Sequence, residues 1–87
     1  MNPIEIERDI RKFLVDNFLF GRAEKLRDDQ SLLGTVIDST GALELVTFLQ
    51  EHFAINVGDE DVVPENLDSV KSVVAYVTKK LEAKAKA

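Results

Sequence analysis

The chain has 87 residues, 45% of them apolar, and 11 basic against 16 acidic residues give a formal net charge of -5. That length suits one domain and is too short for two; the acidic balance disfavours nonspecific nucleic-acid binding. The absence of cysteine excludes disulfides, thiolate metal sites and cysteine nucleophiles.

In chain order, the first predicted helix starts near Pro3 and runs to Phe18 or Leu19. Proline fits a first helical turn because its missing donor is not needed there. Ile6, Ile10, Phe13, Leu14 and Phe18 form an apolar stripe between charged positions such as Glu7, Arg8 and Asp16. Gly21 can end the helix in a left-handed cap. Residues 22–37 have no sustained period and read as a long loop that Leu32, Leu33, Val36 and Ile37 pin to the core.

A second helix fits Ser39 or Thr40 to Phe53, with Asp38 or Ser39 as its cap. Ala42, Leu45, Val46, Leu49 and Phe53 line its apolar face, which Leu43 and Phe48 widen. Residues 59–63 suit one short helical turn before Pro64. Ser69 is the expected cap of a last helix, in which Val70, Val73, Val74, Val77 and Leu81 recur at helical spacing. Residues 83–87 have no apolar anchor and are expected to fray. The sum is an all-α single domain over residues 1–87, a bundle of three main helices plus one short helix. Its core can be satisfied within one chain, so a monomer is expected.

Charge is unevenly placed. Residues 38–69 hold eight acids and no Lys or Arg, whereas residues 70–87 hold five lysines and one acid. A partner of the central segment should therefore present basic groups. Catalytic and metal signatures are weak. His52 is the sole histidine, so a zinc site would need an unusual carboxylate set. Asp59 to Glu65 lacks the oxygen spacing of a calcium loop. No phosphate-binding glycine pattern occurs, and Ser39 has no assignable base nearby in sequence. By composition and spacing alone, Ser39 is a helix cap. No apolar run reaches membrane-spanning length, and the N-terminus lacks the pattern of a secretory signal, so a cytoplasmic protein is expected.

The segment around Asp38-Ser39 resembles the acyl carrier protein family. The likeness runs through Ser31-Leu32-Leu33, Val36-Ile37-Asp38-Ser39, Glu44-Leu45-Val46, Leu49, Glu51 and Phe53, then Asp59-Glu60 and Asp68-Ser69-Val70. The resemblance implies that a phosphopantetheinyl transferase moves 4'-phosphopantetheine from coenzyme A to Ser39, with Asp38 positioning the transferase or the arm. The chain would be that enzyme's substrate and no enzyme itself, with no metal site of its own. Thr40, Leu43, Glu44, Val46, Glu51, Asp59 and Glu60 are the implied partner-facing residues. The implied partners are loading ligases, acyltransferases or synthases with basic docking patches.

Two departures stand beside the serine. A common family pattern continues with Leu and then an acid, where this chain has Thr40 and Gly41. On the sequence, Gly41 makes the face of the second helix less acidic. Ile37 to Gly41, with Pro64-Glu65-Asn66 and Asp68-Ser69-Val70, looks more like specialised stand-alone carriers, some of which carry aminoacyl groups. Acyl cargo, aminoacyl cargo from an adenylating ligase, and an acidic interaction module without the arm are thus the three readings.

Overall fold

The computed structural model describes residues 2–22, 26–27 and 29–86. Helix α1 spans Pro3–Phe18, α2 Ser39–Phe53, α3 Pro64–Leu67 and α4 Val70–Lys86, with a 3-10 turn at Asp59–Asp61 before α3. The fold is a small all-α bundle without strands among the described residues. Its core joins Ile6, Ile10 and Leu14 of α1 to Leu45, Leu49 and Phe53 of α2 and to Val70, Val73 and Val77 of α4. Among the described residues no buried side chain is charged.

The start of α1 follows from Asn2, whose side chain accepts the Glu5 N–H at 2.9 Å, and from Pro3 in the first turn. Its end is a two-residue left-handed turn, Phe20 at φ 50° and Gly21 at φ 81°, one residue earlier than Gly21 alone would place it. The Gly21 N–H returns to the Val15 carbonyl at 3.0 Å.

Between α1 and α2 the chain is irregular but anchored. Leu32 and Ile37 are buried, as expected, while Leu33 and Val36 are half-buried against the core. Leu26 is a further buried anchor that periodicity did not single out; Arg11 of α1 donates to its carbonyl at 3.1 Å. Residues 23–25 and Asp28 of the expected loop lie outside the described residues. A tight turn then closes at Gly34, whose φ of +84° suits glycine and whose N–H donates to the Ile37 carbonyl at 2.8 Å.

Two elements differ from expectation. The short helical turn expected within residues 59–63 is present as the 3-10 turn Asp59–Asp61, but Pro64 also opens a further short helix, α3, that was not expected. The reason is the ring, whose fixed φ suits a first helical residue as well as it breaks a preceding helix. Leu43 was expected to widen the apolar face of α2, yet it is 64% exposed. It sits two residues before Leu45, about 200° around the helix, and so points away from the core.

Residues 83–86, part of the stretch expected to fray, continue α4. Lys84 Nζ donates to the Ala54 carbonyl at 2.7 Å, meeting the C-terminal end of α2 where Ala54 turns left-handed at φ 56°. Ala87 lies outside the described residues.

Candidate functional site at the mouth of the second helix

Which residue caps α2 decides what its first serine can do. Asp38 takes that role: its backbone is extended at φ -97° and ψ -169°, and Oδ1 accepts the Gly41 N–H at 2.7 Å. Its carbonyl also accepts the first intrahelical bond, from Ala42 N–H at 2.8 Å. Ser39 is therefore the first residue inside the helix, not its cap, which corrects the reading from composition and spacing. It is exposed, and among the described residues its hydroxyl has no hydrogen-bond partner.

The surroundings suit an anion on that hydroxyl. The first turn of α2 contains no acidic side chain; the Asp38 carboxylate at the cap is engaged with the Gly41 N–H, and the remaining N–H groups of the helix end supply partial positive charge. Thus the residues present fit a phosphodiester at Ser39: an accessible nucleophilic oxygen, a rigid helix start, and no side chain covering it.

Gly41 is the second determinant. It is buried, and a Cβ built there would lie 2.9 Å from Phe18 Cε1 and 3.1 Å from Ile37 Cβ. The ring of Phe18 occupies the space over the first turn that a side chain at 41 would need. Position 41 consequently faces α1 and not a partner, so the loss of an acid there does not by itself make the exposed face of α2 less acidic. Phe18 is in turn held edge-on by Phe13, with centroids 5.9 Å apart.

The exposed face of α2 gathers part of the set expected from sequence. Thr40, Leu43, Glu44, Thr47 and Glu51 are all exposed at helical spacing and form one stripe leading away from Ser39. Val46 is half-buried and packs against the core. Asp59 and Glu60 are exposed on the separate 3-10 turn.

Three of the eight central acids serve the fold. Besides Asp38 at its cap, Asp61 accepts the Tyr76 hydroxyl at 2.8 Å and lies 3.5 Å from Lys80 Nζ. The Tyr76 hydroxyl is pushed up in pKa, by burial first and then by the Asp61 bond. Asp68 Oδ1 accepts both the Ser31 hydroxyl at 2.7 Å and the Leu33 N–H at 3.0 Å. Those bonds, Ser31 foremost, hold the Asp68 carboxyl below the usual carboxylate range.

This clasp joins two motifs that lie 37 residues apart, Ser31-Leu32-Leu33 and Asp68-Ser69-Val70. It was missed in the sequence because only tertiary contact reveals it. His52 is exposed on α2, stacked on Phe48 at 4.9 Å, with Nε2 2.9 Å from Asp9 Oδ2 of α1. It ties two helices together. Among the described residues no group of three or more His, Asp or Glu is placed to hold a metal ion, and no helix is long and apolar enough to cross a membrane.

The described residues thus form a small helical bundle with an exposed serine at the start of α2. Comparison with known proteins supplies the family. An acyl carrier protein of Akkermansia muciniphila is 36% identical over 80 residues, covering 91% of this chain and 96% of its own length. An acyl carrier protein of Buchnera aphidicola is 30% identical over 76 residues, covering 86% and 92%. A probable acyl carrier protein, PigG, of a Serratia strain is 27% identical over 73 residues, covering 83% and 84%. No protein-family profile matches the chain. The chain belongs to the acyl carrier protein family, and its role is that of a carrier with no turnover of its own.

Proposed function

We propose that this protein carries acyl-type intermediates as thioesters on a 4'-phosphopantetheine arm attached through a phosphodiester to Ser39. The observation that supports this most is the exposed Ser39 hydroxyl, left unbonded because Asp38 takes the cap. A transferase supplies the base that deprotonates the hydroxyl; the oxygen attacks the β-phosphate of coenzyme A, and adenosine 3',5'-bisphosphate leaves. Asp38 contributes by fixing the helix start that presents the oxygen. The arm then supplies the thiol that this cysteine-free chain lacks.

Thr40, Leu43, Glu44 and Glu51 form the docking stripe for partner enzymes, with Val46 at its inner edge. Asp59 and Glu60 add negative charge from the 3-10 turn. Partners are a phosphopantetheinyl transferase, a loading ligase, and acyltransferases or synthases that bear basic patches. Because the stripe is exposed, its acids act mainly on encounter rate and salt dependence.

The assignment is tested by incubating the purified chain with coenzyme A, Mg2+ and a broad-specificity transferase. Intact mass should rise by one phosphopantetheinyl group, about 340 Da, and Ser39→Ala should gain nothing. An unshifted wild type rejects the assignment. Loading assays of the modified protein with fatty acids and with amino acids, each with its activating ligase, separate acyl from aminoacyl cargo.

A further inference from the structure

Ser39 is the first residue of α2, and the N–H of a first helical residue has no partner inside its own helix. Where its hydroxyl stands is therefore set as much by the chain that enters the helix as by the helix itself. That chain is a closed turn. The Val36 and Ile37 N–H groups both donate to the Leu32 carbonyl at 2.9 Å, and the Gly34 N–H donates to the Ile37 carbonyl at 2.8 Å. The Asp38 cap follows with no intervening residue.

A single residue holds the start of this turn. Asp68 Oδ1 accepts the Ser31 hydroxyl at 2.7 Å and the Leu33 N–H at 3.0 Å, and the Asp68 carbonyl accepts the Leu32 N–H at 2.6 Å. Burial of the Leu32 side chain fixes one point of the turn, and the bonds on either side of it stop rotation there. Asp68 is itself held from both directions: it ends α3, its N–H donating to the Pro64 carbonyl at 2.9 Å, and it precedes Ser69, the cap of α4. From this we infer that Asp68 is a positioning residue for the modification of Ser39, fixing through the 32–37 turn where the hydroxyl meets the transferase. The inference deepens the proposed role of Ser39 and rests on it.

Only the carboxylate arm of this clasp depends on residue type, since the bond from Leu32 to the Asp68 carbonyl is backbone to backbone. Removing the carboxylate takes away the acceptor of the half-buried Leu33 N–H and frees the turn to swing about Leu32. The docking residues Leu43, Glu44 and Glu51 lie further along α2 and keep their place in the helix. Docking then stays as it was while the attacking oxygen is misplaced. Misplacing a reactant inside a formed complex lowers kcat more than it weakens binding.

Because the carrier is the transferase's substrate, its kinetics separate positioning from stability. Partial unfolding of the carrier lowers the concentration of competent substrate, which raises the apparent KM and leaves kcat at saturation unchanged. Loss of positioning does the opposite: kcat falls and KM stays.

The test is steady-state modification of the full chain by a broad-specificity transferase with coenzyme A and Mg2+, followed by intact mass over a range of carrier concentrations. Asp68→Ala is expected to lower kcat about tenfold, with KM within about twofold of wild type. Asp68→Asn, whose amide oxygen can accept both bonds, should restore the wild-type kcat. Ser31→Ala removes one bond and leaves the Leu33 N–H satisfied; its smaller loss in kcat keeps the test decisive where Asp68→Ala does not fold. Tyr76→Phe, which breaks the Asp61 bond away from the turn, should keep the wild-type kcat. A wild-type kcat in Asp68→Ala, or in Ser31→Ala where the former does not fold, would overturn the inference while leaving Ser39 modified. So would a loss that Asp68→Asn does not restore, or an equal loss in Tyr76→Phe. A wild-type chain that gains no mass would overturn the Ser39 assignment and this inference with it.

Discussion

The chain uses the dipeptide Asp-Ser twice, each time just before a helix, and with opposite results. At 38–39 the aspartate caps α2 and the serine hydroxyl is left outward without a partner among the described residues. At 68–69 the serine caps α4, its Oγ accepting the Ser72 N–H at 3.0 Å, while the aspartate clasps Ser31 and Leu33. A one-residue difference in where the helix starts decides whether the hydroxyl is consumed by the backbone. Local sequence does not distinguish the two pairs; what each aspartate reaches does.

The largest effect expected from breaking this contrast is on modification. Ser39→Ala should abolish labelling by the transferase, whereas Ser69→Ala should still be labelled, as read by intact mass. Next comes the packing that flanks only the first pair. Gly41→Asp, which restores an acid common in the family, forces Phe18 aside and should destabilise by about 1–3 kcal/mol in denaturant melts. An unchanged midpoint would mean that Phe18 moves without cost.

Loss of either cap should be comparable and somewhat smaller. Asp38→Ala and Ser69→Ala are each expected to cost about 0.5–2 kcal/mol. Asp38→Asn should keep most of that stability, because an amide oxygen can still accept the Gly41 N–H. The clasp of the second pair is visible in pH dependence. Asp68, Asp61 and Asp9 all have folded pKa values below the ordinary 3.8. Their contribution is complete above that pH and is lost as pH falls through the lowered values. Acid melts should show this loss, and Asp68→Asn should flatten its part of it. The Asn oxygen can retain the two bonds made by Oδ1, so the neutral-pH change should be small.

The smallest expected effect is at the contact between α1 and α2, where the His52–Asp9 pair is partly exposed. His52→Ala should lower stability by about 0–1 kcal/mol, and less at high salt.

The three long helices were legible because Ile6 to Leu14, Leu45 to Phe53 and Val70 to Val77 repeat at helical spacing. A periodic burial pattern needs no tertiary information to be seen. Leu43 carried two readings, margin of the apolar face and partner-facing residue, because an apolar residue beside a stripe can be either, and only the helix phase against the core, which leaves it exposed, separates these. Gly41 read as a missing charge because the ring of Phe18, 23 residues earlier in the chain, cannot be placed by periodicity. The Asp68 clasp and the Leu26 anchor were hidden for the same reason. Ser39 itself was marked by resemblance; the cap at Asp38 supplies the physical reason it is accessible.

Peptide mapping of the transferase-treated protein tests the central claim most directly. The account predicts a single phosphopantetheinyl group, located on the peptide containing Asp38-Ser39, with the peptide containing Asp68-Ser69 unmodified. A group found on Ser69 or any other serine, or on none, would contradict it.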